Sequence, residues 1–327
     1  MRFPQAPRTV DRMTHPAPHH PGPSEPHGTS APGHDHRHGH APGEGHHAHG
    51  ADPDSGLADM LDLDAELFAE HLADLTGRLA RLAGRAVTHI VDLGAGTGTG
   101  TFALLRRFPT ARVTAVDSSP GMLARLMGTA RARGLGDRVR ILEADAGTGL
   151  PGVEDADLVW ASASLHHVDD PAAALAGVRA ALRPGGLLAV AELDGLPHFL
   201  PEDAVADRPG LEVRCREALT ALHGAQVPHL GADWGTPLTA AGFAVEYEGT
   251  DRLELRAPLP AGAGRYAHLV LSRVRGALAD RGRIDPADLA ALGHLLDGGP
   301  QDVRHRDDLL VRSTRRTWIA RRPTGTP

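Results

Sequence analysis

Lysine is absent: all 34 basic side chains of this 327-residue chain are arginine. With the abundance of alanine, glycine and proline, that reads as genomic base composition more than as a functional signature. Cysteine occurs once, at Cys215. An internal disulfide is therefore excluded, which fits a reducing cytoplasm. No apolar run approaches the roughly 18 residues that a membrane helix needs. The opening MRFPQAPRTV has no apolar core of the signal-peptide kind. The expectation is a cytoplasmic protein with no membrane partner. Aromatic residues make up only 3% of the chain, so few rings are on hand to wall a pocket. Excess positive charge is also missing. The net charge is −7, which argues against non-specific nucleic-acid binding.

What is present begins with histidine. Residues 1–50 carry eleven of them, among prolines and glycines, with almost nothing large and apolar. Such a stretch cannot bury enough surface to offset its ordering entropy and is expected to be disordered. Clustered imidazoles bind divalent metals in principle. Irregular spacing on a flexible chain fixes no geometry, so adventitious metal pickup is the expectation and no metal site is assigned.

Beyond the tail the patterning changes. Residues 57–83 repeat leucine at helical spacing and end at Gly84, which predicts one or two amphipathic helices. Short apolar runs then alternate with helical segments. Strands are expected at 87–93, 112–116, 139–144, 156–162 and 187–193, and helices at 99–107, 120–133 and 171–182. Arg183-Pro184-Gly185-Gly186 reads as a helix-stop turn. Five buried-type strands joined by helical crossovers mean a doubly wound, parallel α/β sheet. After Gly195 the rhythm loosens. Helices are expected at 211–222, 237–241, 266–281 and 286–297. An alternating strand is expected at 243–255, and 309–322 suggests a last, antiparallel strand. The arginines from Arg304 to Arg322 read as a solvated strand face.

The stretch HIVDLGAGTGTGTF (89–102) is a strand running into a glycine turn that opens a helix. The dinucleotide pattern GxGxxG would need glycine at 99 or 101, and both are threonine. The acids at the ends of the next strands are more telling. Asp92 precedes the turn, Asp117 ends RVTAVDSS and Asp145 lies in RILEADAG. Three carboxylates thus meet at the carboxyl edge of strands one to three, where ligands of such sheets bind. They would repel a pyrophosphate and accept a cofactor with ribose, adenine and positive charge.

VDLGAGTGTGT, AVDSSPGML, LEADAGTGLP, ADLVWASASLHHVDDP and LRPGGLLAVAEL, in this order and spacing, resemble the successive motifs of class I S-adenosylmethionine-dependent methyltransferases, nearest the small-molecule branch with an N-terminal helical cap. The resemblance implies a Rossmann-like seven-stranded sheet, mostly parallel with an antiparallel last strand, and helices on both faces. It divides the chain into a tail (1–54), a cap (55–85) and a catalytic domain (86–323) whose 195–240 segment lies on the acceptor side. It implies that Gly94, Ala95, Gly96 and Gly98 run against the methionyl and ribose parts of S-adenosylmethionine. Asp117 would hold the ribose hydroxyls, with Ser118 and Met122 beside the adenine. Asp145 would take the adenine amine, with Ala146 next to it, and the backbone near Ser162 would help hold the methionyl amine. Asp92 either joins this set or braces the loop.

The expected activity is in-line methyl transfer to a small-molecule acceptor. His166 and His167 are the candidate bases, against a bracing role that the residues favour. Glu192 and Asp194 come second. The cap and residues 195–235 are expected to roof the acceptor, offering His198, Phe199, His223, His229 and Trp234. Trp160 and Trp234 are read mainly as core, and Cys215 as a buried small hydrophobe. The rival readings are an NAD(P)-dependent Rossmann oxidoreductase and a catalytically inactive cofactor-binding or metal-handling protein. Acceptor identity, methylated atom and oligomeric state stay open.

Overall fold

In a computed structural model, residues 53–325 are described, apart from 224–226, 228, 281 and 283. The histidine tail lies outside the described residues, as does the side chain of His223.

The described residues start with two helices, α1 (Pro53–Leu67) and α2 (Ala69–Ala83), the second closed by Gly84 in the left-handed region at φ 65°. Strands and helices then alternate: β1 (His89–Leu93), α3 (Thr99–Arg107), β2 (Arg112–Asp117), α4 (Pro120–Ala132), β3 (Val139–Glu143), β4 (Ala156–Ser162), α5 (Pro171–Ala181) and β5 (Leu182–Leu193). Local chemistry sets several of these starts. Ser119 caps α4 by accepting from the Met122 N–H, and Asp170 caps α5 by accepting from Ala172 and Ala173. Each cap is followed by a proline at the first helical position, where the missing N–H costs nothing. The rest comprises α6 (Leu211–His223), α7 (Gly235–Ala240), β6 (Ala244–Leu255), α8 (Ala263–Ala279), α9 (Pro286–His294) and β7 (Val311–Arg321). No helix among the described residues is long and apolar enough to cross a membrane.

The strands form one seven-stranded sheet in the order β3-β2-β1-β4-β5-β7-β6. β1 to β5 are mutually parallel, and β7 runs antiparallel to both β5 and β6. Each face carries an apolar cluster. Val159, Val190 and Trp318 pack toward α5 and α7, while Ile90, Trp160 and Ile319 pack toward α2, α3 and α4. Burying one such large apolar side chain contributes about 1.5–3 kcal/mol. A third cluster joins α1, α6, α8 and α9 around Phe199, Tyr266 and Val270.

One expectation is corrected. Helix α5 does stop before Pro184, but Arg183-Pro184-Gly185-Gly186 is no free turn, because β5 already begins at Leu182. Leu182 pairs with Ala156, and the register then jumps to Leu158 opposite Leu187. The glycines form an irregularity within the strand, held where the Gly185 N–H donates to the Arg322 carbonyl.

Candidate active site

A cavity of about 490 Å³ opens at the carboxyl ends of β1 to β5. The glycine turn forms its floor. Gly94 and Ala95 both donate their N–H to the Val116 carbonyl, which ties the turn to β2. Gly94 has φ 71°, and a Cβ there would strike Ser164. Gly96 has φ 51° and leaves its backbone bare beneath Leu61 of α1. Its N–H donates to Asp117 Oδ2 at 2.8 Å, while the Ser119 N–H donates to Asp117 Oδ1 at 2.9 Å. Two backbone donors thus fix the Asp117 carboxylate in the cavity wall, with lone pairs left for a ligand.

The other two rim acids also line this cavity. Asp92 is buried and accepts from Thr101 Oγ1 at 2.6 Å. Burial pushes its carboxyl up to about 6, and the negative Asp117 adds to the rise, against the Thr101 hydrogen bonds. Asp145 accepts from the Gly147 N–H at 2.7 Å. Ser118, Met122, Ala146 and Ser162 complete the wall on this side.

Gly98 is not in the wall. Its φ of 88° makes the sharp entry into α3, and a Cβ there would lie 2.6 Å from Leu126. The residue is glycine for packing.

Two buried hydroxyls line the cavity with no hydrogen-bond partner, Thr97 Oγ1 in the turn and Ser164 Oγ after β4. Between β4 and Ser164 stands Ala163, a non-glycine at φ 49°. Such a conformation costs energy and clusters at ligand sites. None of the three was singled out from sequence. Orphan hydroxyls and positive φ are properties of the folded backbone, and a run such as Ser162-Ala163-Ser164 carries no mark of them.

The two histidines part company. His166 is buried, its Nδ1 sits 2.5 Å from Glu192 Oε2, and it does not line the cavity. Glu192 also accepts from the Ser164 and Leu165 N–H groups at 3.1 and 2.9 Å. His166 and Glu192 therefore brace the loop. His167 faces the cavity, and partial burial, then neighbouring His166, hold its imidazole below the usual range. Asp194 is absent from the wall, whereas Glu192 contributes to it.

On the opposite side the cavity is roofed by α1 and α2, by Leu196 and Pro197, and by two elements not expected there, α8 and β7. Tyr266 and Val270 come from α8 and Arg315 from β7. The solvated-face reading of the late arginines fails at Arg315. Its Nη2 donates to Asp64 Oδ1 and Oδ2 at 2.7 and 2.9 Å, and Tyr266 Oη donates to the same Asp64 at 2.6 Å. Strand alternation was read correctly, but the α1 partner 251 positions away was invisible. None of His198, Phe199, His229 and Trp234 lines the cavity. Phe199 and Trp234 are buried in the apolar clusters, and burial next to Arg216 and Arg312 lowers His198 to about 4. Cys215 is fully buried, which pushes its thiol up to about 11.

Comparison with known proteins follows this geometry. Residues 91–188 match the family model of a methyltransferase domain. Trans-aconitate 2-methyltransferase of Enterobacter sp. (strain 638) is 36% identical over 170 residues, covering 50% of this chain and 65% of its own. The enzyme of the same name from Acidovorax sp. (strain JS42) is 40% identical over 141 residues, covering 42% and 52%. The chain thus spans between 52% and 65% of the length of these two relatives. A solved S-adenosylmethionine-dependent methyltransferase from Thiobacillus denitrificans, in complex with S-adenosylhomocysteine, is 17% identical at a TM-score of 0.44, covering 77% of this chain and 90% of its own. The residues that match the methyltransferase-domain model run from β1 into β5, the parallel part of the sheet that carries the glycine turn and the three rim acids.

Proposed function

We propose that this protein transfers a methyl group from S-adenosylmethionine to a small-molecule acceptor held beneath α1 and α2. One observation carries the reading: Asp92, Asp117 and Asp145 converge with a bare-backbone glycine turn on a single cavity that also holds two unpartnered hydroxyls. A dinucleotide would bring its pyrophosphate against three carboxyl groups. An adenosyl sulfonium brings hydroxyls, an amine and a positive charge, each matched by an acceptor.

In this reading the Asp117 carboxylate takes the ribose hydroxyls, and Asp145 with Ala146 and Met122 borders the adenine. Thr97 Oγ1 and Ser164 Oγ are placed for the carboxylate and amine of the methionyl part, beside the Gly94–Gly96 backbone. The cofactor supplies a methyl group made electrophilic by sulfonium, which an acceptor nucleophile takes in line with the carbon–sulfur bond. What the chain contributes is orientation, worth about 7–11 kcal/mol in favourable cases, and exclusion of bulk water by the cap. His167, its imidazole held below the usual range, is the group at the donor side of the wall that we assign to accept a proton from the acceptor. His166 holds the loop on which it sits.

The matched relatives are named for trans-aconitate. A small acceptor is consistent with the cavity volume of about 490 Å³. Titration of the purified full chain with S-adenosylhomocysteine and with NADH, each followed by calorimetry and melting temperature, tests the donor reading. S-Adenosylhomocysteine is expected to bind and to raise the melting temperature. Stabilisation by NADH alone would sink the proposal in favour of the oxidoreductase.

A further inference from the structure

We propose that the acceptor has an apolar body with at most one negative charge, set against the Arg315 guanidinium, and that this roof excludes polycarboxylates. The inference rests on the methyl-transfer reading and specifies its substrate class.

The roof is built mostly from aliphatic and aromatic side chains: Leu57 and Met60 from α1, Phe68 from the joint between α1 and α2, Leu196 from the loop after β5 and Val270 from α8. Against these walls the polar groups are few and largely committed. Arg315 is the one arginine among the described cavity-lining residues, and the sequence contains no lysine. Its charge is already matched by Asp64, which takes both hydrogen bonds from Nη2. Tyr266 Oη is committed to the same carboxylate. The guanidinium lies 5.0 Å from the Phe68 ring centre, which fixes its plane. What remains is Nε, buried and without a partner, and the two N–H groups of Nη1, which Asp64 does not take.

Histidine adds no further cation. His71 lines the roof 3.7 Å from Asp251, yet burial, then Arg315, lowers its imidazole. His167 is lowered as well. The remaining ionisable groups in the wall are carboxyls: Asp64, Glu192 and the donor-side acids. Trans-aconitate is a tricarboxylate. Its charges would meet one cation that already has a counter-ion, and an uncompensated buried charge costs several kcal/mol. A molecule offering one carbonyl, ether or hydroxyl oxygen to the uncommitted N–H groups of Arg315 would bury its body against the aliphatic wall.

The test uses the full chain saturated with S-adenosylhomocysteine, whose own titration reports separately on the donor site. Calorimetry then compares trans-aconitate with two apolar probes, 2-naphthol and methyl 4-hydroxybenzoate. At least one apolar probe is expected to bind about tenfold or more tightly than trans-aconitate, and the double variant Asp64→Asn/Arg315→Met, which keeps the roof neutral, to weaken that probe about tenfold. Tighter binding of trans-aconitate overturns the proposal. So does an absence of binding by both apolar probes at millimolar concentration, or unaltered probe affinity in the double variant. Donor binding retained alongside any of these outcomes places the fault in the acceptor assignment and leaves the methyl-transfer reading standing.

Discussion

The floor and the roof of the cavity are made in different ways. The floor comes from consecutive strand ends, with Asp92, Asp117 and Asp145 each a few residues from the end of a parallel strand in one stretch of chain. The roof gathers Asp64 from α1, Tyr266 from α8 and Arg315 from β7, with up to 251 positions between partners. A binding function that recurs with one cofactor can be written into a contiguous motif. A function that must fit a particular acceptor is assembled from whichever segments fold over the sheet. The floor is thus fixed by local chain, and the roof by how distant segments pack over the sheet.

The comparison breaks most sharply at Asp117. In Asp117→Ala the Gly96 and Ser119 N–H groups lose their acceptor, and under the proposed reading the ribose loses its carboxylate. Hydrogen bonds to a charged group contribute about 1.5–3 kcal/mol each, so S-adenosylhomocysteine affinity is expected to fall at least about a hundredfold. Circular dichroism should show the fold intact. Wild-type affinity in this variant would mean that the floor does not hold the donor.

Within the loop after β4 the two histidines sharpen the contrast on a smaller scale. His166→Ala leaves Glu192 buried with two backbone donors but no ring, and is expected to cost about 2 kcal/mol in urea unfolding. His167→Ala, at an exposed position, is expected to change stability by less than about 0.5 kcal/mol. Equal losses from the two variants would contradict the assignment of His166 as brace and His167 as the residue facing ligand.

Legibility in the sequence followed the same division. The five parallel strands were readable because each is a short apolar run closed by glycine, proline or a capping side chain, so α3 and β4 fall at the expected bounds. Asp92, Asp117 and Asp145 were readable because strand ends of such sheets point to one edge. Gly98 lies outside the cavity wall, a placement the sequence does not show, since it shows a glycine but not whether backbone or Leu126 fills the space beside it. Arg315 was missed for a related reason. Alternation along β7 puts it on one face, but only the packing of α1 decides whether that face meets water or Asp64. Ala163 and Ser164 gave no signal, because the positive φ of the first and the unpartnered Oγ of the second arise only in the folded turn, where the Ser164 N–H donates to Glu192.

An effect smaller than the His166 loss concerns a floor acid, Asp92. Asp92 is buried, with its carboxyl raised to about 6 from an unfolded value near 3.8. A raised carboxyl binds its proton more tightly in the folded state, so between these values the native protein holds more protons than the unfolded chain. Stability contributed by the neutral form is therefore present at low pH and lost as pH rises through about 6. Between pH 5 and pH 7 the linkage amounts to about 1 kcal/mol. Asp92→Asn keeps an acceptor for Thr101 Oγ1 and removes the titration. Its unfolding free energy, subtracted from that of the wild type across this range, should show the wild type losing about 1 kcal/mol relative to the variant. A flat difference would place the Asp92 titration outside this window, and an opposite slope would mean that the carboxylate is stabilised in the floor by a cation. Repeating the titration with saturating S-adenosylhomocysteine, which is uncharged at sulfur, and then with the sulfonium donor separates these outcomes: only the positively charged ligand should pull the Asp92 carboxyl back down.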